Sequence, residues 1–392
     1  MSLVAAVGQA NALDAREAGL QATYQALNRL GNAAPSMGIV VAPHRFDSQM
    51  VLSGVSSLLA NIPIIGMSSV ASLAHDGVRS NGVTVALLAG DEIQAETHWF
   101  PAYSQASGET ASRILQLLDY EQRPAESVII CADGLNGNAE EFCSSMPARL
   151  PILGGLASGD LQNGLGYQIA GTQSGTGGLS AAFLRGSLKM GIGYGHGWHP
   201  IGSRFRVTRS RGFWLRTLDG RPASETYSNL FGQSPREWAY PPLNYMTRIY
   251  PLGFEQDSPD NLLIRAPLRV EADGSFRMNA ILRDGGDAYL LVGSPDSCRD
   301  ATHEAAKQAL SHLGPIKPAL ALIFIDLAWY MLMQAQPETL IKDLEDVLGA
   351  DLPIIGGYTL GQIIPAGPGT DHPQFLNQHI VIAIFGEPKE NN

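Results

Sequence analysis

The chain contains 392 residues, a length that allows two or three domains and excludes a small scaffold held together by disulfides or bound metal. Hydrophobic residues make up 45% of it and charged residues only 16%, which is typical of a compact globular protein and not of a disordered one. The formal net charge is −11. Because nucleic-acid binders usually need a basic surface, this charge argues against DNA or RNA as the main partner.

The cysteines and the apolar segments indicate the cellular compartment. The three cysteines have no C-x-x-C spacing, which fits free thiols in a reducing environment. The first basic residue is Arg16, so the N-terminus lacks the positive region of a secretory signal. The longest apolar run, 319–333, contains Asp326 and is shorter than the roughly 20 residues of a membrane span. We therefore expect a cytoplasmic protein without membrane insertion.

A Pro-Ile-x-Gly phrase occurs three times, at residues 63–66, 151–154 and 353–356. Each copy belongs to the same series of predicted elements: an amphipathic helix, an apolar strand, a second helix, the strand with the phrase, a turn and a closing strand. The predicted first helix spans 14–30, 108–119 and 300–313 in the three copies, and the first strand spans 37–42, 128–132 and 320–325. The predicted second helix spans 47–60, 138–149 and 337–348, and the closing strand spans 82–88, 178–184 and 378–385. The three copies predict an α/β fold of pseudo-symmetric helix-strand-helix-strand-strand repeats, which form sheets covered by helices.

Glycines recur at matching places in the three copies. A glycine where a strand ends allows a backbone turn that other residues resist, and it also allows a ligand to approach the backbone closely. Both interpretations remain open for the glycines of the second copy. If a ligand approaches the backbone there, Gly154 and Gly155 are candidate ligand-binding residues.

A glycine-rich run at 191–197 resembles a phosphate-binding loop, but the alternation of residues and Pro200 predict a strand and a turn. A phosphate cradle needs a helix N-terminus after the loop. His196 and His199 lie here beside Trp198, and this is the one place where haem or a metal ion could dock. Residues three apart on a strand face opposite sides, so structural histidines are the alternative. All three residues are candidate ligand-binding residues.

A β-rich insertion is predicted near residues 201–295, between the second and third copies. Alternating residues predict strands at 204–209 and 212–218, and a short helix is predicted at 223–231. An Asp-Gly pair at 273–274 predicts the turn of a later hairpin.

Arginine and tryptophan are concentrated at the start of this insertion. Residues 196–250 contain eight arginines against three acidic residues, together with three of the five tryptophans. Because arginine forms paired hydrogen bonds with carboxylate or phosphate, Arg206 and Arg209 are candidates for binding an amino acid or another small anion. The alternative is a solvated strand face, because Arg204, Arg206 and Thr208 alternate in register.

Several longer phrases occur in a fixed order along the chain. They are Pro151-Ile-Leu-Gly-Gly-Leu-Ala-Ser-Gly-Asp160, Gly195-His-Gly-Trp-His-Pro-Ile-Gly202, Arg206-Val-Thr208, Leu218-Asp-Gly-Arg-Pro-Ala223, Pro353-Ile-Ile-Gly-Gly-Tyr-Thr-Leu-Gly-Gln362 and a final strand at 377–385. Because these phrases are spread along the chain, nearly all of it resembles the FIST family of sensory proteins, which combine an N and a C domain. The resemblance implies small-molecule sensing with amino acids as ligands, and it makes Asp160 a candidate ligand-binding residue. Some members resemble haem-dependent nitric-oxide sensors.

The chain departs from the family pattern at two places. It reads Phe324-Ile-Asp-Leu-Ala-Trp329 where members often have Phe-Ser-Cys-x-Gly-Arg, and Gly361-Gln-Ile363 where they often have Gly-Glu-Ile. These changes, at Asp326 to Trp329 and at Gln362, leave two interpretations: a lost site or a changed specificity.

Together, these patterns predict a FIST N-like domain of two repeats at 1–210 and a FIST C-like domain at 211–392, which holds the β-rich segment and the third repeat. The expected function is that of a cytoplasmic sensor of an amino acid or small organic anion. We expect no enzymatic activity and no required cofactor, and we expect a separate signalling protein, such as a kinase or regulator, as the partner.

Three alternatives remain. One is a haem-binding nitric-oxide sensor that uses His196 or His199, and another is a protein-interaction module without a ligand. The third is an enzyme acting on small anions, with Asp160 or Asp326 as the acid or base. Against an enzyme, the sequence has no Walker loop, no G-x-S-x-G elbow and no H-E-x-x-H motif.

Overall fold

The computed structural model describes residues 3–120, 124–241, 243–256, 262–333 and 337–388. Helices and strands are combined in these ranges, so the fold is α/β as predicted. None of the helices in these ranges is long and apolar enough to cross a membrane.

The first repeat occupies the N-terminal part of the chain. Its elements are β1 (Val4–Asn11), α1 (Ala15–Leu30), β2 (Met37–Pro43), α2 (Ser48–Ser56), β3 (Ile64–Ser69), β4 (Ser72–Ala74), β5 (Gly77–Arg79) and β6 (Gly82–Ala89). Side chains set the helix starts, because Asp14 and Asp47 each accept a hydrogen bond from a backbone N–H of the first turn. Gly31, at a φ of 70°, ends α1.

The second repeat follows directly and has the same elements. They are β7 (Gln94–Phe100), α3 (Ser107–Tyr120), β8 (Ser127–Asp133), α4 (Ala139–Ser144), β9 (Ile152–Ala157), β10 (Gln168–Ala170), β11 (Gln173–Gly175) and β12 (Leu179–Arg185). The helix predicted at 138–149 is shorter in the structure, where α4 has only six residues.

The third repeat begins with β13 (Lys189–Gly195), and a separate sheet is then inserted before its first helix. The inserted elements are β14 (Trp198–Arg211), β15 (Trp214–Leu218), β16 (Arg221–Pro222), α5 (Ala223–Phe231), α6 (Leu243–Met246), β17 (Leu252–Glu255), β18 (Leu262–Arg265), β19 (Pro267–Val270), β20 (Phe276–Met278) and β21 (Asp287–Gly293). The predicted helix at 223–231 and the predicted hairpin turn at 273–274 are both present. The boundary predicted between residues 210 and 211 lies at the end of β14.

The third repeat resumes after the inserted sheet. Its remaining elements are α7 (Pro295–Leu313), β22 (Pro318–Asp326), α8 (Leu327–Leu332), α9 (Glu338–Leu348), β23 (Ile354–Ile364), β24 (Gln374–Leu376) and β25 (Ile380–Gly386). The helix predicted at 300–313 begins earlier, at Pro295, because Ser294 caps it.

All three repeats have one strand order, which confirms the repeat prediction. The orders are β1-β6-β2-β3, β7-β12-β8-β9 and β13-β25-β22-β23, and in each only the last pair of strands is parallel. The predicted unit was incomplete, because it began with a helix and the structure adds a leading strand to each copy.

Each repeat pairs with both of the others. Strands β9 and β23 pair antiparallel and join the second and third repeats into one sheet. Strand β10 of the second repeat pairs with β3 of the first, and β4 of the first pairs with β23 of the third. The strands that carry the Pro-Ile-x-Gly phrases therefore lie where the repeats meet.

A single buried cluster fills the centre between the repeats. It includes Met67 from the first repeat, Leu153 from the second, and Phe324 and Ile355 from the third. The helices cover separate clusters on the outer faces of the sheets. A further cluster belongs to the inserted sheet alone, so that sheet has a core of its own.

The glycine-rich run has a packing role in this fold. A Cβ atom on Gly193 would lie 1.9 Å from the carbonyl oxygen of Ala305, and one on Gly191 would lie 2.2 Å from that of Ala309. Both glycines thus let α7 pack directly on β13. Gly8 does the same in the first repeat, where a Cβ would lie 2.1 Å from the carbonyl oxygen of Ala22.

We expect Gly193→Ala to lower the free energy of unfolding by at least about 1–3 kcal/mol, the usual cost of overpacking, because helix backbone cannot yield as a side chain can. Gly286→Ala is the matched control, since the closest atom to its Cβ would lie 3.8 Å away. Urea unfolding of both variants measures the difference. Equal stabilities would contradict the packing role.

Candidate functional site

A polar cleft lies between the inserted sheet and the third repeat. It has a volume of about 610 Å³ and its lining includes His196, Arg265, Gln374, Asn377 and His379. We call it the histidine cleft. It combines a preformed concave shape with convergent polar groups, so it is the best candidate for a ligand site among the described residues.

Three elements position these side chains. His196 follows directly after β13, Arg265 ends β18, and His379 directly precedes β25. The backbone of Gln378 has a φ of 66°, a left-handed conformation that non-glycine residues rarely adopt. A turn is thus held at the point where the chain enters the last strand.

Two histidine rings form the centre of the cleft. The rings of His196 and His379 are edge-to-face with centroids 4.9 Å apart. Burial, followed by the nearby His199, lowers the pKa of His196 to about 4. Burial, followed by His196, lowers the pKa of His379 to about 3. Both rings are therefore neutral near pH 7.

The hydrogen bonds of the two rings indicate their tautomers. Nδ1 of His196 accepts from the backbone N–H of Trp198 at 3.3 Å, so its proton is on Nε2. Nδ1 of His379 lies 2.6 Å from the carbonyl oxygen of Asn377 and must donate to it, which leaves Nε2 as an acceptor. The pair thus offers one donor and one acceptor, neither with a partner in the described part of the chain.

Arg265 carries the positive charge of the cleft, but an ion pair already offsets part of that charge. Its guanidinium pairs with Glu140, donates to the carbonyl oxygen of Ile264 at 3.0 Å, and lies 5.3 Å from the ring centre of Phe375. Its side chain is only 5% exposed. Arg265 therefore provides a fixed dipolar surface and not a free cation.

Asn377 contributes an unsatisfied acceptor. Its amide group donates to the carbonyl oxygens of Leu376 at 3.1 Å and Leu360 at 3.4 Å. Its Oδ1 is buried without a hydrogen-bond partner among the described residues. A buried acceptor without a partner costs free energy, so a donor group brought by a ligand would be favoured here.

A buried ion pair lies directly behind the cleft. Arg248 of the inserted sheet donates to Asp326 at 2.7 Å, and neither side chain is exposed. The other carboxylate oxygen of Asp326 accepts from the backbone N–H of Gln378 at 3.1 Å, and the Gln378 side chain donates to the carbonyl oxygen of Arg248 at 2.9 Å. This network fixes the residue next to His379 and joins the insertion to the third repeat.

The departure of the sequence at Asp326 to Trp329 thus has a structural role here. Asp326 caps α8 by accepting from the backbone N–H of Ala328 at 3.0 Å. Trp329 donates its indole N–H to the carbonyl oxygen of Gln378 at 2.8 Å. Gln362, the other departure, is buried and donates to Thr359 at 2.8 Å.

The candidates Trp198 and His199 do not line the cleft as His196 does. Trp198 is buried beneath the cleft, where its indole N–H donates to the carbonyl oxygen of Ile249 at 3.1 Å and its ring lies 6.0 Å from that of Trp329. His199 is exposed, with its ring 6.5 Å from that of His196. The closer partner of His196 is His379.

The remaining candidates lie outside the histidine cleft. Gly154 and Gly155 are in the centre of the molecule, where a Cβ on Gly155 would lie 2.6 Å from the Phe324 ring. Asp160 accepts from the backbone N–H groups of Gln162 and Asn163 and so stabilises its own turn. Arg206 and Arg209 are both exposed on β14, the inserted strand predicted at 204–209.

Sequence reasoning missed four of the side chains that line the cleft, namely Arg265, Gln374, Asn377 and His379. Asn377 and His379 stand at the start of the predicted closing strand, and polar residues beside a buried strand are a usable signal. Arg265 was hidden in a strand-like stretch whose position in the fold only the tertiary structure gives.

Two protein-family models match this chain. The FIST N domain matches residues 36–221 and the FIST C domain matches residues 223–365. The chain belongs to the FIST family. FIST domains are associated with sensing in signal transduction. In this FIST protein, the cleft takes His196 from the N-domain match and Arg265 from the C-domain match, while His379 lies beyond both.

Two curated relatives match most of this FIST chain. Uncharacterized proteins of Mycobacterium bovis and Mycobacterium tuberculosis are each 22% identical over 374 residues, covering 92% of this chain and 93% of theirs. Among solved structures, a chorismatase aligns over 98% of this chain and 99% of its own, at 10% identity and a TM-score of 0.36. A cyanuric acid hydrolase aligns over 99% and 100%, at 10% identity and a TM-score of 0.34.

We expect the stability of the protein to fall as the pH drops from about 6.5 towards 4. An unfolded histidine takes up a proton near pH 6.5, whereas the lowered pKa values of His196 and His379 keep the folded rings neutral, so acid favours the unfolded chain. Urea unfolding at pH 7 and pH 4.5 measures the decrease. His379→Asn should reduce it most, and His199→Asn, which removes only the smaller cause of the lowered His196 pKa, should reduce it less. The same decrease in both variants would contradict this assignment.

We expect Asp326→Asn to lower the free energy of unfolding by about 3–5 kcal/mol, because it leaves the buried Arg248 charge unpaired. The exposed pair of Arg204 and Asp287 provides the control. Asp287→Asn there should cost no more than about 1 kcal/mol. Chemical unfolding at pH 7 distinguishes the two, and equal effects would mean that the buried pair does not hold the insertion in place.

Proposed function

We propose that this protein is a cytoplasmic small-molecule sensor that binds an amino acid or a similarly small organic anion in the histidine cleft. The observation that supports this most directly is the neutral pair of His196 and His379, which offers one donor and one acceptor in a polar cleft. A zwitterionic ligand has both kinds of group. The buried Oδ1 of Asn377 adds an acceptor for an ammonium group.

The fixed dipoles of the cleft suit a ligand without a large net charge. Arg265 is paired with Glu140, so a carboxylate would meet a guanidinium whose charge is partly offset. A strongly charged ligand such as a nucleotide would gain less here than a zwitterion does. We therefore place amino acids ahead of nucleotides and of polyanions.

The proposed output is a change in the docking of the inserted sheet on the third repeat. The cleft lies between these two parts, and Gln378 links His379 to the buried pair of Arg248 and Asp326. A ligand that contacts both sides favours one relative position over others. A separate signalling protein, such as a kinase or regulator, would then bind that position, and the sensor itself would perform no chemistry.

Haem binding with nitric-oxide sensing is the second candidate function. Nε2 of His379 is an acceptor whose ring is oriented by the hydrogen bond from Nδ1 to the Asn377 carbonyl oxygen, the arrangement common in metal-bound histidines. His196 is too close to coordinate on the opposite face, with the ring centroids 4.9 Å apart. His379 would therefore be the single protein ligand to the iron.

Thermal unfolding of the whole chain against amino acids, small organic anions, nucleotides and hemin tests the proposal. We expect a saturable stabilisation by one class, about 2.7 kcal/mol at a ligand concentration 100 times Kd. His379→Ala or Asn377→Ala should reduce it, whereas exposed Arg209→Ala should retain it. Mass spectrometry should recover the ligand unchanged.

Each other outcome selects a different function. A Soret band on hemin reconstitution that is lost in His379→Ala would establish the haem sensor in place of the amino-acid sensor. Turnover of the ligand would make the protein an enzyme. No stabilisation by any compound would contradict ligand sensing and favour an interaction module.

A further inference from the structure

We propose that His303, Asp343 and Asp346 form a binding site for a divalent transition-metal ion such as Zn²⁺, between α7 and α9. The site is on the helical side of the third repeat and is separate from the histidine cleft. It does not depend on the proposed sensing function.

The three side chains already converge. One ligand atom from each of His303, Asp343 and Asp346 lies within 4.8 Å of the others, so a single ion can contact all three after small side-chain rotations. Asp343 and Asp346 are three residues apart on α9, a spacing that puts them on the same helix face. His303 projects from the packed helix α7, so the ligands come from two rigid elements.

Two of these ligands carry buried atoms without hydrogen-bond partners. The Asp343 side chain is only 7% exposed, and its Oδ2 has no partner within the described ranges. Nε2 of His303 is also buried without a hydrogen bond there, 3.7 Å from Oδ1 of Asp343. Unsatisfied buried atoms of this kind are costly, and one cation would bind both.

The electrostatics of the cluster also favour a cation. The carboxylates of Asp343 and Asp346 bring two negative charges close together beside the imidazole of His303. Arg299 offsets this in part, with its Nε 3.3 Å from Oδ1 of Asp343, but Oδ2 remains available. Arg299 is 45% exposed, so it can also move into solvent when an ion binds.

The ligand set indicates which ion. One imidazole with two carboxylates is a mixed nitrogen and oxygen set, which suits Zn²⁺, Co²⁺ or Ni²⁺ better than Ca²⁺ or Mg²⁺, whose sites are built from oxygen. The hollow above the ligands has a volume of about 550 Å³ and leaves room for water at the remaining coordination positions.

Calorimetric titration of the full chain with Zn²⁺, together with visible absorption on adding Co²⁺, tests the site. We expect one ion per chain and a cobalt d–d spectrum that changes with Zn²⁺ competition. His303→Ala and Asp346→Asn should each weaken binding by at least about tenfold, a loss that even outer-shell changes produce. The controls on α7 are Asp300→Asn and His312→Ala, which should bind as the unchanged chain does.

Arg299→Gln distinguishes a metal site from a simple ion pair. It removes the competing cation from Asp343, so Zn²⁺ should bind more tightly than to the unchanged chain. Circular dichroism without metal confirms that each variant is folded. No binding of Zn²⁺ to the folded chain, or equal binding to a folded His303→Ala and Asp346→Asn double variant, would overturn the proposal.

Discussion

The buried ion pair of Arg248 and Asp326 is the contact on which the arrangement of the candidate site depends. Each charge loses its hydration on burial, and only the partner and the surrounding hydrogen bonds compensate for that loss. Because Arg248 belongs to the inserted sheet and Asp326 to the third repeat, the two parts must dock in one position for the charges to meet. The same carboxylate holds Gln378, so docking of the sheet and the orientation of His379 are coupled.

The repeats provide the rigid part of this arrangement. Three units with one strand order pack around a shared core, and glycines in the leading strands of the first and third units let helices approach the sheets closely. The third unit differs from the others because a complete sheet follows its leading strand. The asymmetric insertion therefore creates a cleft at one place in an otherwise repetitive scaffold.

Sequence reasoning found the repeats because an identical short phrase occurred in each, between elements of matching length. It missed the leading strands β1 and β7, since β1 is rich in alanine and glycine and β7 is a partly exposed edge strand. It predicted a strand in the glycine-rich run that became β13, but it did not assign that strand to the third repeat. It found His196 through its local pattern, but His379 and Arg265 reach the cleft only through tertiary pairing. Local density of arginine was a poor guide to the cleft, because Arg206 and Arg209 lie exposed on a strand.

The two ends of the inserted sheet are neighbours. Trp198 at its start pairs with Gly293 at its end, so the chain leaves the third repeat and returns to it at nearly the same point. A segment with adjacent ends can be exchanged, lengthened or lost without changing the path of the scaffold. The side of the cleft that this sheet supplies can therefore diversify between homologues while the three-repeat body is inherited unchanged. In evolutionary terms, one wall of the cleft can change while the wall with His196, Asn377 and His379 stays with the scaffold.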